Sequence, residues 1–162
     1  DFVINTGSAG GLGGELKVGD VVIGTQTAHH DVDVTAFGYA IGHVPRMPAR
    51  FESDSALCAA AEKAAAAFEH AAVHRGLIVS GDQFVHSSES VAEVRRYFTD
   101  VQAVEMEAAA IAQSCHRFGV PFVVIRAISD LADEEADTSF ETFLKTASVH
   151  SAQMVLQLIE AL

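Results

Sequence analysis

The chain has 162 residues, 49% of them apolar, which suits one globular domain with a sizeable core and excludes a disordered segment. Its 22 acidic residues against 10 basic ones give a net charge of −12. That balance excludes nucleic acid and an anionic membrane surface, leaves room for a small neutral or cationic ligand, and otherwise keeps the protein soluble.

In chain order, the short apolar run "FVIN" predicts a strand, followed by a glycine-rich loop, "TGSAGGLGG". The chain lacks an initiator methionine and opens inside this strand, so a fragment of a longer polypeptide is expected. "GDVVIGTQTA" reads as a second strand, β-branched residues after a Gly-Asp turn. "HHDVDVTAFGYAIGHVPRMPAR" has no clean period and reads as a long excursion. Residues 53–72 predict an alanine-rich helix with a Ser or Asp cap. "HRGLIVSGD" is a strand running into a turn. "SVAE", residues 90–93, reads as a capping box for a helix through Tyr97.

"QAVEM" predicts a strand and "EAAAIAQSCHRF" a helix stopped by Gly119 and Pro121. "PFVVIRAI" is continuously apolar apart from Arg126, as expected of a central strand covered on both faces. It is too short for a membrane span of about 18 residues. "TSFE", residues 138–141, reads as a capping box for the last helix. Alternating strands and helices make an α/β fold, a single domain over residues 1–162 with a mixed, mainly parallel sheet between two helical layers. Ligands of such sheets sit at the carboxyl ends of the strands, here "NTGSAGG", "SGDQF", "EME" and "ISD".

Those strand ends carry the unusual chemistry. "GSAGGLGG" matches neither GxGxxG nor a Walker loop, and a strand follows it, not a helix. It is a tight turn or a place where backbone approaches a small ligand closely. Asp130 follows an apolar strand, where partial desolvation raises a carboxyl pKa and suits it to acid catalysis; a cap or turn role is the alternative. Arg126, costly to bury alone, is expected to pair with a carboxylate for structural reasons. Glu105 and Glu107 flank a strand-to-helix junction, where one can face a ligand and the other the scaffold, or both can serve the helix dipole. A carboxylate there can accept hydrogen bonds from two vicinal hydroxyls, as on a ribose. "HHDVD" looks like a metal cluster but has no matched further ligands, so no metal and no cofactor is expected. Cys58 and Cys115 form no CxxC pair, and reduced thiols fit a cytoplasmic protein.

Together "VINTGSAGG", "HDVDVTAFGY", "RGLIVSGDQF", "AVEMEAAAIA" and "PFVVIRAISDLAD" resemble the 5′-methylthioadenosine/S-adenosylhomocysteine nucleosidases of the nucleoside phosphorylase superfamily. The likeness runs in order over essentially the whole chain. It implies a homodimeric enzyme that cleaves the N-glycosidic bond of adenine thionucleosides to adenine and a thioribose. It implies that Asp130, flanked by Ser129 and Ala132, protonates adenine N7, while Glu107 binds the ribose hydroxyls and Met106 packs on the sugar. Phe84 and the Val85 backbone would hold adenine under Phe140, and Ser8, Ala9 and Gly10 would line the sugar side. Val34, Phe37, Tyr39 and Pro45 would form the 5′-thio pocket, reaching in part into the neighbouring subunit. The family's water-activating glutamate lies on a strand that would precede this chain. Related phosphorylases hold phosphate with an arginine at the glycine loop, where this chain has Asn5, which favours hydrolysis. A purine nucleoside phosphorylase, a futalosine-type hydrolase and a non-catalytic adenine-nucleoside sensor are the other readings.

Overall fold

A computed structural model describes residues 1–66, 71–133 and 135–162. In chain order the regular elements are β1 (Val3–Gly11), β2 (Val21–His29), a 3-10 turn (Thr35–Phe37), β3 (Phe51–Glu52), α1 (Ser55–Ala65), β4 (Val73–Ser80), α2 (Ser88–Tyr97), β5 (Val101–Glu105), α3 (Ala108–Phe118), β6 (Phe122–Asp130) and α4 (Ala136–Ala161). No helix among the described residues is long and apolar enough to cross a membrane.

The first strand does not end at Asn5. β1 continues through most of the glycine-rich stretch, pairing in parallel with β6 from Val3 opposite Phe122 to Gly10 opposite Asp130. The glycines serve close packing and not a turn: a Cβ on Gly7 would collide with the Arg126 guanidinium, and one on Gly10 would lie 2.9 Å from Asp130 Oδ1. All nine residues of β6 are buried, as its unbroken apolar run predicts.

The sheet is mixed, ordered β3-β2-β4-β5-β1-β6, and an additional β2–β6 pairing closes it into a ring. The long ladders, β1–β6, β2–β4 and β4–β5, are parallel. The antiparallel contacts are β2 with β3, β2 with β6, and β1 with β5 through Gly10 opposite Val104. One sheet face, with Val22, Ile78, Ala103, Val124 and Ile128, packs on Ala108, Ala112 and Cys115 of α3. The other face is covered by α2 over Leu77, Val79 and Val104, and by α1 and α4 over Val21, Ile23, Val123 and Ile125. Helices thus lie on both sides, as expected.

Three helix starts differ in detail. Asp54 caps α1, accepting from the Ala56 and Leu57 amides at 2.9 Å. The helix is regular only to Ala65, and residues 67–70 of the expected span lie outside the described residues. The capping box of α2 sits one turn before "SVAE": Ser87 is the cap, and the Ser90 hydroxyl returns the bond that a glutamate makes in the usual box. "TSFE" does not open α4. That helix starts at Ala136, above a turn in which Asp133 accepts from the Glu135 amide at 3.1 Å.

Candidate active site

β1 and β6 run together, and so do β2, β4 and β5. Because β1 meets β5 antiparallel only near their last residues, the carboxyl ends of both sets converge at one place. A cavity of about 390 Å³ opens there. Ser8, Ala9 and Gly10 of β1 line it, with Phe84 and Val85 after β4, Met106 and Glu107 between β5 and α3, Ser129 and Asp130 of β6, and Phe140 of α4. This is the strand-end crevice expected of such a sheet.

Asp130 is 1% exposed. The Ser129 hydroxyl donates to its Oδ2 at 2.8 Å, and the Ala132 amide donates to Oδ1 at 2.9 Å. Burial pushes its carboxyl above the ordinary aspartate range, against the pull of those two bonds. Ala132 aims its amide by adopting φ 54, a left-handed conformation that costs a non-glycine residue about 1–2 kcal/mol. The Ser129 and Ala132 bonds, one to each oxygen, orient the carboxyl.

The two glutamates divide their work. Glu105, the buried last residue of β5, accepts from the Ser80 hydroxyl, from the Ala108 amide at 3.0 Å and from the Glu107 amide at 3.1 Å. It also takes the charge of Arg126 in a buried ion pair. Ser80, within the strand end "SGDQF" but assigned no role there, bridges onward by accepting from the Ala109 amide at 2.8 Å. Glu105 is therefore the scaffold carboxylate and the partner that the apolar strand's arginine requires. Glu107 is the open one, with a side chain 62% exposed and 3.7 Å from Arg126. Its carboxyl is raised from the ordinary range by burial first and by the Glu105 charge second, with Arg126 opposing.

Aromatic walls complete the cavity. Phe84 and Phe140 meet edge to face with ring centroids 5.8 Å apart. A family model described as "Phosphorylase superfamily" matches residues 1–160. The chain belongs to that superfamily.

Within the superfamily, the chain is 57% identical to a curated 5′-methylthioadenosine/S-adenosylhomocysteine nucleosidase from Anoxybacillus flavithermus, matching 100% of this chain and 70% of the relative. A crystal structure of the enzyme of that name from Neisseria meningitidis, in complex with methylthio-immucillin-A, is 69% identical with a TM-score of 0.97, covering 100% of this chain and 70% of that one. The Colwellia psychrerythraea enzyme in complex with adenine is 48% identical with a TM-score of 0.96, covering 100% and 67%.

Most of the expected site residues fall in one place. Ala132 lies beneath the cavity instead of lining it. Val34, Phe37, Tyr39 and Pro45 do not line it either; they sit in the excursion after β2, with Phe37 82% exposed. Gln83, Val104, Asp137 and Glu141 line the cavity without having been marked by the sequence. Gln83 lies within "SGDQF" and could have been found there, whereas Asp137 and Glu141 are placed by the early start of α4.

Proposed function

We propose that the native protein hydrolyses the N-glycosidic bond of 5′-methylthioadenosine and S-adenosylhomocysteine, giving adenine and the thioribose. One observation carries the reading. Two carboxyl groups of different exposure line one cavity, Asp130 buried and Glu107 open and beside a cation, both held above their ordinary range. Departure of a base leaves positive charge on the sugar and negative charge on the base. Asp130 delivers a proton to adenine N7 as the C1′–N9 electron pair moves onto the base, so adenine leaves neutral. Glu107 accepts from the ribose hydroxyls and stabilises the cationic sugar, and water adds to C1′. Phe84, the Val85 backbone and Phe140 hold the adenine plane; Met106 packs on the sugar, and Ser8, Ala9 and Gly10 line its other side. The water-activating carboxylate is assigned upstream of Asp1, as the resemblance implies.

Water is favoured over phosphate because no lysine or arginine is among the described residues lining the cavity. The nearby cation, Arg126, is held by Glu105 and donates to Asn5 Oδ1 at 2.7 Å. Its charge is already met by Glu105, so no cation among the described residues lining the cavity is left to neutralise a phosphate dianion. Val34, Phe37, Tyr39 and Pro45, standing away from this cavity, fit the 5′-thio end of a second copy's pocket in a homodimer. Free, buried Cys58 and Cys115 fit a cytoplasmic enzyme. The test is adenine release from methylthioadenosine by the native polypeptide, with and without phosphate. Phosphate-independent release is expected. A phosphate requirement would make it a phosphorylase, turnover of futalosine alone would make it a futalosine-type hydrolase, and binding without release would make it a sensor.

A further inference from the structure

The stretch "HHDVD" ends up beside the site without forming part of the cavity wall. His30 and Asp31 follow β2, and the segment after β4, residues 81–87, lies against them. Three contacts join them to the end of β4 and the start of that segment. The His30 amide donates to the Ser80 carbonyl at 2.9 Å, and the Asp82 amide donates to Asp31 Oδ2 at 2.8 Å. The His30 ring occupies the place where Gly81 would carry a side chain: a Cβ there would meet Nε2 and Cε1, and would lie 2.9 Å from Asp31 Cγ. His30 Nε2 is shielded from solvent and has no hydrogen-bond partner among the described residues. An imidazole that gives up a hydrogen bond to fill a notch is there for shape. Burial lowers its pKa, against the raising effects of Asp31, Glu105 and Glu93, and this favours the uncharged ring that such packing needs.

Beyond Gly81 the segment is further held by the Phe84 ring on Phe140 and by Val85 in the core. The Gly81 amide reaches the Glu105 carbonyl at 3.2 Å, and Asp82, Gln83 and Phe84 are exposed until Val85 is buried again. Phe84 and Val85 are the aromatic and backbone wall assigned above to adenine.

We infer that His30 and Asp31 are positioning residues: with Gly81 as the notch, they clasp the 81–85 segment and set the place of the adenine-holding wall. The inference rests on the proposed function for the identity of the ligand, but not for the clasp itself. Asp130 and Glu107 stand on other strands, so loosening the clasp weakens substrate and transition-state binding alike. The signature is a raised KM with kcat nearly unchanged.

The experiment uses the intact native polypeptide. In Asp31→Ala, amide exchange at residues 82–85 accelerates in the free protein, and KM for methylthioadenosine rises on the order of tenfold while kcat holds. Asp31→Asn keeps an acceptor oxygen and restores both values. In a second series, Gly81→Ala raises KM, and adding His30→Ala, which removes the two closest contacts and leaves only Asp31 Cγ at 2.9 Å, recovers most of that rise. Unchanged exchange and KM in Asp31→Ala would overturn the inference, as would strictly additive effects of the Gly81 and His30 changes. Exchange at 82–85 reads the clasp whether or not the wild type releases adenine, and failure of the wild type to release adenine would fall on the proposed function alone.

Discussion

Replacing Asp130 by Asn separates its chemistry from its structural role. The geometry lets an amide take the carboxyl's place. Oδ1 still accepts from the Ala132 amide, now 2.9 Å away, and the Ser129 hydroxyl, 2.8 Å from Oδ2, rotates to accept from the new NH₂. Each bond kept is about 1 kcal/mol kept, so Tm should move by no more than about 3 °C. The sign of that movement follows from the raised pKa. A carboxyl whose folded pKa exceeds its unfolded value contributes stability that is complete below the unfolded value, about 3.9, and is lost as pH rises through the folded value. Asn never ionises, so the variant gains on the wild type across that window, and its relative Tm should be highest at neutral pH. Catalysis goes the other way. Loss of a general acid costs about a hundred- to ten-thousand-fold in kcat, or about 3–5 kcal/mol of barrier. The assays are single-turnover adenine release, calorimetric nucleoside binding and thermal scans at acid and neutral pH. A variant within about tenfold of wild-type kcat would refute the acid role. A Tm lower by more than about 5 °C at neutral pH would refute the burial argument.

Three further outcomes can be checked. Glu107→Gln should lower both affinity and kcat, each by about tenfold or more, because a charged acceptor to the ribose hydroxyls becomes neutral; nucleoside titration and initial rates would show it. Arg126→Met should destabilise the fold by about 3–5 kcal/mol in denaturant melts by leaving Glu105 charged and alone, and adding Glu105→Gln should recover most of that. Gly10→Ala puts a methyl 2.9 Å from Asp130 Oδ1 and 3.1 Å from the Ala132 Cβ, so it should cut kcat by displacing the acid, as the pH–rate profile would show.

What the sequence disclosed was mostly what periodicity and strand order control. The unbroken run before Asp130 is a strand buried on both faces, and the residues at four strand ends line one cavity. Glu105 and Glu107, two apart across a junction, both border the cavity but part company in role, Glu105 buried on Arg126 and Glu107 open. The misses have physical causes. Glycine weighs against strand in any local reading, yet β1 keeps its glycines because Arg126 and Asp130 press on it from β6. Serine at the third helical position does the work of a glutamate in α2, so the residue pattern points one turn too late. The 5′-thio residues form no local pattern, and they stand apart from this cavity. Ring closure through β2–β6 joins segments far apart in the chain, which no local pattern records.

That closure also governs how the protein is made. Val21 meets Val73 on one side and Ala127 on the other. As the chain leaves the ribosome, β2 waits with one edge open until the last third has been synthesised, and β1 waits for the same strand. Contacts of such long sequence separation fold slowly and leave unpaired edges exposed in the meantime. Asp130 arrives with the closing strand itself, so a nascent chain has no cavity until β6 seals the ring. Any premature stop before residue 130 leaves two open sheet edges and no acid, a product for the proteolytic machinery.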